Sequence, residues 1–265
     1  MKAFTRAGLA ALLLAACLPA SAHTPYLVPS SFAPRAGSTI ALDASFAETF
    51  FVPEVAFDNS TFGVVGPDGK DQVVPSRAMT NRTVAEYTLP AGAGTYRFST
   101  GLRMGALFRT WEINGTRASS RDPAVKIPAG AKVIADFQSI TRAETYVTAG
   151  NPDRAALKPR DNGLELVAVS HPNDLYVGET FAFIVQYDGQ PLPGQKVEVT
   201  EAVWSSDRTP QVVTLTTDAQ GHARMPLQAA GTWIALTRLR RPAPDGAPVA
   251  EYSHSYTLSF RVLNP

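Results

Sequence analysis

Four histidines, a single cysteine and a group of carboxylates set among phenylalanines are the residues of this 265-residue chain best suited to chemistry. His23, His171, His222 and His254 make up the whole imidazole complement, and a neutral imidazole is a preferred ligand of nickel, copper and zinc. His23 is the sharpest candidate. It follows Ala20-Ser21-Ala22, the small residues that a signal peptidase accepts. Cleavage after Ala22 makes it the first mature residue, whose α-amine and ring Nδ1 chelate one metal ion without help from a folded scaffold. An internal His23 offers the ring alone. Capture of this kind weakens as pH falls, because the ring must be neutral to ligate.

The other histidines have simpler roles beside a ligand role. His254 shares parity with Tyr256, Leu258 and Phe260, so it points to the inner face, as a core or rim histidine or as a second ligand beside His23. His171 ends the run Glu165 to Ser170 and precedes Pro172, a strand-to-turn corner that suits a structural hydrogen bond before a metal. His222 follows a tight turn and reads as a solvated hairpin residue. The segment Phe46 to Phe62 gathers Phe46, Phe50, Phe51, Phe57 and Phe62 around Glu48, Glu54 and Asp58. A carboxylate such as Glu48 would complete a metal shell, or sit desolvated among the rings; the plainer reading has the rings in the core and the acids in water. Arg97, Arg103, Arg109, Arg117 and Arg121 could hold an anion, but interspersed with strand residues they read first as the wet face of a sheet.

The rest of the catalytic inventory is thin. No Gly-x-Ser-x-Gly, His-Glu-x-x-His or phosphate-cradling glycine loop is present, which argues against an enzyme. The single Cys17 lies within residues 1–22, so neither disulfides nor a thiol-based metal or redox centre serves the mature chain. Residues 1–22 read as a signal peptide. Lys2 and Arg6 form its charged start, Ala7 to Ala16 a short apolar run, and Pro19 the helix breaker before the cleavage site. The run is too short to span a bilayer, so a periplasmic protein without a membrane span is expected. Leu14-Ala15-Ala16-Cys17 also resembles a lipobox, whose use would leave a lipidated Cys17 and an internal His23.

Charge excludes another class. The full chain carries +1; removing Lys2 and Arg6 leaves 22 basic against 23 acidic residues, a net −1. No basic stripe marks a nucleic-acid surface.

The elements that must position these residues read as strands. Short runs of period-two alternation are separated by Gly, Pro, Asn and Asp turns, the pattern of an all-β protein. Phe181, Phe183, Val185 and Tyr187 share one face; so do Trp233, Ala235, Thr237 and Leu239; so do Ile40, Leu42, Ala44 and Phe46. Helices, if any, are single turns. Thr148 to Gly163 carries Pro152 and Pro159 without alternation and reads as a connector. The expectation is two consecutive antiparallel β-sandwich domains, 23–150 and 163–265, joined by a linker at 151–162. Asp188-Gly189 and Asp218-Ala219-Gln220-Gly221 turn hairpins in the second half, which looks like the Ig-like or transthyretin-like modules of exported bacterial proteins.

Taken together, "AHTPYLVPSSF", "SFAETFFVPEVAF", "VVGPDGK", "GTYRFSTG", "QSITRAETYVTAG", "HPNDLYVGETFAFIVQYDGQPLPGQKVEV" and "YSHSYTLSFRV" resemble the domain-of-unknown-function 4198 family over nearly all the mature chain. The resemblance implies an exported, β-rich, non-enzymatic protein that binds a transition-metal ion or its chelate beside a membrane metal transporter, with nickel the first expectation and copper or cobalt alternatives. It matches the Ala22-His23 junction, and His171 of "HPNDLYVGE" as a recurrent His-Pro turn. His23, with His254, His171 or Glu48, is the expected metal set. Two other readings stay open: an exported interaction module without metal, and a copper oxidase built on an N-terminal histidine brace.

Overall fold

The computed structural model describes residues 23–203 and 207–265, and these form an all-β protein. Its only helix among the described residues is one 3-10 turn, Ala155–Leu157. None of their helices is long and apolar enough to cross a membrane.

In the first half, a five-stranded sheet runs in the order Thr24–Pro29, Thr39–Ala47, Thr83–Thr88, Ser76–Ala78, with Val55–Ala56 also paired to Thr39–Ala47. In the second half, Thr180–Tyr187 pairs with Leu164–Ala168, Gln190–Pro191 and His222–Pro226 in a four-stranded sheet. Both pack on a ten-stranded sheet that runs through the whole chain. Its second-half strands are Val212–Thr216, Lys196–Glu201, Gly231–Pro242 and Glu251–Val262. Its first-half strands include the 18-residue Lys132–Ala149, Gly94–Ser99, Gly63–Val65 and Asp71–Val73.

Alternation decides which faces are buried. Phe181, Phe183 and Val185 pack with Trp233, Tyr256, Leu258 and Phe260 in one core. Leu27, Ile40, Leu42, Phe57, Phe62, Phe98 and Val147 form the other. Asp188-Gly189 closes the expected hairpin with both residues at positive φ, 48° and 74°, the requirement of a type I′ turn. Asn114-Gly115 makes the same turn between Arg103–Ile113 and Thr116–Ser120.

The halves are joined by backbone pairing, which the alternation does not announce. Lys132–Ala149 lies parallel to Glu251–Val262, in register from Phe137↔Glu251 to Thr145↔Ser259. A smaller cluster of Tyr26, Ala47, Phe50, Phe51, Ala202 and Ile234 packs across the junction. The second-half strands are therefore covered on both faces near the join. Ile234, Thr257 and Ser259 are buried although their parity points away from the second core.

Residues on Lys132–Ala149 divide the same way. Ala143, Val147 and Ala149 face the first core. Arg142, Glu144 and Tyr146 point to the opposite face, where Tyr146 joins the second core.

Candidate functional site

The pairing of the first strand with Thr39–Ala47 ends at Thr24↔Ala47, leaving His23 and Glu48 as the next residues outward. On the other side of Ala47, the pairing Phe46↔Val55 brings Glu54 alongside the same strand end. The His23 side chain is 44% exposed, and its Nε2 lies 2.7 Å from Oε2 of Glu54. The remaining Glu54 oxygen, Oε1, accepts the Glu48 backbone N–H at 2.8 Å. The Glu54 backbone is fixed in turn, its N–H lying within reach of the Ser45 hydroxyl and the Phe46 carbonyl. The carboxylate facing His23 is thus held at both ends.

This arrangement selects one nitrogen of the ring. A carboxylate on Nε2 favours the tautomer that carries its hydrogen there, which leaves the Nδ1 lone pair available. A carboxylate behind an imidazole in this way orients the ring and raises its basicity as a ligand. The His23 partner is Glu54. Glu48 contributes its backbone to the arrangement, while its exposed side chain lines a cavity of about 510 Å³ with Thr24, Phe50, Glu198 and Arg238.

His171 is occupied elsewhere. Its Nδ1 accepts the Asn173 backbone N–H at 3.2 Å, and its Nε2 lies 2.9 Å from the Asp153 carbonyl oxygen and 3.1 Å from Thr95 Oγ1. A carbonyl only accepts, so Nε2 carries the hydrogen, and both ring nitrogens are engaged within the protein. Burial lowers its pKa. His254 is 6% exposed and stands across from Leu239 and Ile140 in the shared sheet. Its Nε2 lies 3.4 Å from the Tyr187 hydroxyl, and the two rings meet edge to face. Burial lowers its pKa also. Among the described residues, no hydrogen bond, ion pair or ring contact links His23, His171 and His254, and no group of three or more His, Cys, Asp or Glu side chains is placed to hold a metal ion. His222 sits at its hairpin, its backbone N–H donating to the Asp218 carboxylate.

The aromatic segment follows the plainer expectation. Phe50, Phe51, Phe57 and Phe62 are buried, Phe46 stacks on Phe57 at 5.0 Å, and Glu48 and Asp58 are exposed.

Arg117 and Arg121 are exposed, as expected of a wet face, and Arg103 is partly exposed, but two arginines of the run depart from expectation. Arg97 and Arg109 are buried, not on a wet face. Arg97 does point away from the first core, on the outer face of its sandwich. That face is not left in water, because the connector folds across it: the Lys158 carbonyl accepts Arg97 Nη1 at 2.7 Å, and the Asn162 carbonyl accepts Arg142 Nη1 at 2.8 Å. Arg109 pairs with Asp136 at 3.3 Å and donates to the carbonyls of Val125 and Pro248.

At the centre of this face Glu144, 1% exposed, accepts from Arg160 Nε at 2.9 Å and from the Tyr256 hydroxyl at 2.8 Å. Burial opposes its ionisation, but Arg97, Arg160 and Arg142 outweigh that and hold its pKa down to about 2. Burial likewise opposes the charge on Arg97, and Glu144 more than restores it. Tyr146 is pushed up to about 12 by its burial. A sequence signal for this cluster did exist, in the charged residues Arg142 and Glu144 within an otherwise strand-like run, but one chain's alternation does not say that its outer face will be covered.

Comparison with known proteins adds a family. A family model described as "Domain of unknown function (DUF4198)" matches residues 20–241. The search among curated proteins gave no match. Among solved structures, the D0-D1 domain of intimin is 13% identical, covering 88% of this chain and 96% of that one with a TM-score of 0.22. Trypsin-activated alpha-2-macroglobulin from Escherichia coli is 13% identical, covering 89% of this chain but 15% of its own length, with a TM-score of 0.25. A marsupial T cell receptor is 10% identical over 91% of this chain and 73% of its own, with a TM-score of 0.23.

Proposed function

The chain belongs to the DUF4198 family, and we propose that it is an exported, periplasmic metal-binding accessory protein that captures a transition-metal ion at His23 and passes it to a membrane metal transporter. The observation that carries the proposal is the 2.7 Å contact between His23 Nε2 and Glu54 Oε2. Residues 1–22, the proposed signal peptide with Cys17, lie outside the described residues. Cleavage after Ala22 frees the α-amine of His23. That amine and Nδ1 then form the two-nitrogen grip, and Glu54 holds the ring in the tautomer it requires.

Glu48, next outward on the neighbouring strand, is the nearest further carboxylate of the expected set. The geometry supports His23 with Glu54 behind it and Glu48 beside it, more than a shell completed by His171 or His254, each engaged by other neighbours. Nickel is the first cargo to test. A nitrogen-rich grip of this kind holds copper more tightly still and cobalt less tightly, so selection for nickel in the cell rests on which ion is available.

The test is calorimetric titration of Ni(II) into metal-free protein beginning at His23. Three comparison forms are used: one extended by a single glycine before His23, His23→Ala, and Glu54→Gln. The extended form and His23→Ala are expected to lose binding, and Glu54→Gln to weaken it about 10- to 100-fold. Identical isotherms for all four forms would reject the site. Intact-mass measurement of the exported protein decides between a His23 start and a lipidated Cys17.

A further inference from the structure

We propose that the buried arginine cluster beneath the connector is a binding site for a small polyvalent oxyanion, a di- or tricarboxylate in the first instance. The site is separate from metal capture at His23 and does not depend on it. A cavity of about 460 Å³ lies between the connector and the outer face of the first sandwich, lined by Arg97, Arg142, Lys158, Arg160, Asp71 and Asn162 among others. A second hollow of about 270 Å³ shares Asp71, Arg142 and Arg160 with it. Arg97 is 5% and Arg142 6% exposed, while Lys158 and Asp71 form an exposed rim.

Charge and hydrogen bonding both leave this cavity short of an anion. Four cations, Arg97, Arg142, Lys158 and Arg160, line the cavity with one carboxylate, Asp71, and the buried Glu144 and Glu165 lie behind them, which leaves an excess of +1 over the group. Both Glu144 oxygens are already taken, one by Arg160 and one by Tyr256. Among the described residues, the Asp71 carboxylate reaches only Arg160, at 3.5 Å. Glu165, under the connector, accepts the backbone N–H groups of Arg160 and Asp161 and the Gln186 amide.

Arg97 and Arg142 therefore direct Nη1 at neutral backbone carbonyls. The Nε of each is buried and has no hydrogen-bond partner among the described residues. A buried cation is tolerated when it is paired and its donors are satisfied. Arg97, Arg142 and Arg160 share the single Glu144 carboxylate. Here Nε donors of two guanidinium groups, whose planar fork suits carboxylate and phosphate oxygens, are left on residues that line one cavity. Two neighbouring hollows with three lining residues in common give room for an organic acid with two or three carboxylates, larger than phosphate.

The experiment is calorimetric titration of full-length mature protein, metal-free and at fixed ionic strength, with citrate, succinate and inorganic phosphate. Sodium chloride serves as the control. Saturable binding of citrate or succinate with none for phosphate establishes a carboxylate site. Binding of phosphate alone assigns the same site to phosphate and overturns the carboxylate assignment.

Three variants locate the site. Arg142→Gln is expected to weaken binding about 10- to 100-fold, the loss of a charge-assisted contact. Lys158→Ser and Asp71→Asn change exposed rim residues, so the fold is retained in both. Lys158→Ser weakens binding about threefold, and Asp71→Asn tightens it by a similar factor, because it removes the competing carboxylate. No saturable heat with any anion overturns the proposal. So does binding that is unchanged in Lys158→Ser and Asp71→Asn.

Discussion

His23–Glu54, at strand ends of the first half, and Glu144 with its arginines, on and beside the Lys132–Ala149 strand, are both polar constellations, yet they differ in every property that governs energy. The first sits in water at a strand end and holds together two groups that solvent would satisfy equally well. The second is buried beneath a connector, behind a cavity that the arginines line, and each of its charges depends on the others. The difference teaches that an exposed pair is free to serve binding because stability does not rest on it. In the buried group, stability and binding are tied to the same residues.

The comparison is broken most directly by removing one carboxylate from each. Glu144→Gln leaves three arginines around a neutral, buried amide, and is expected to lower the unfolding free energy by about 3–5 kcal/mol. Glu54→Gln, at a site open to solvent, is expected to change it by less than about 1 kcal/mol. Urea unfolding of the two variants beside the parent reads both. Comparable losses would mean that the exposed pair carries structure after all.

Acid sharpens the same contrast without mutation. The folded protein holds the Glu144 carboxyl at about 2, below the 4.5 of an unperturbed glutamate. The stability contributed by this group is complete above pH 4.5, declines as pH falls below it, and is gone below about 2. The span corresponds to a loss on the order of 3 kcal/mol. It is read as a falling urea midpoint across that window, and the fall should be blunted in Glu144→Gln. A parent and variant with parallel acid profiles would assign acid unfolding to other carboxylates.

These regions also mark how far the sequence is legible. Period-two runs such as Phe181-Phe183-Val185 declare an inner face, and Asp188-Gly189 declares a turn because positive φ at both positions suits few other pairs. The face opposite an inner face is another matter. Parallel pairing of residues 137–145 with residues 251–259 joins segments more than 100 residues apart, and period two is the same whatever strand lies alongside. Arg97 is correctly assigned to an outer face by parity, and its burial follows only once the connector is seen lying on it.

The candidate site divides along the same line. His23 stands out in sequence because of the processing junction expected before it. Glu54, and not Glu48, faces it because pairing brings Val55 opposite Phe46, a register that depends on how the intervening loop turns. His171 reads in sequence as a corner residue suited to a structural bond, and its two engaged nitrogens give that corner its chemistry.

The smallest expected effect concerns half-buried His171 and buried His254, rings that belong to neither region. Burial disfavours their charged forms, so each has a folded-state pKa below its unfolded value of about 6.5. The unfolded chain then binds protons first as pH drops, and the stability these rings contribute is complete above pH 6.5 and is lost as pH falls beneath it. The effect appears at milder acidity than that of Glu144 and separates cleanly from it. Below about pH 6.5 the unfolding free energy should decline gently as pH falls. His254→Gln removes one of the two rings and should leave the shallower slope that His171 alone supplies. A profile that is flat, or that rises toward acid, would show that the charges around these rings, Asp188 beside His254 and Asp153 beside His171, outweigh their burial.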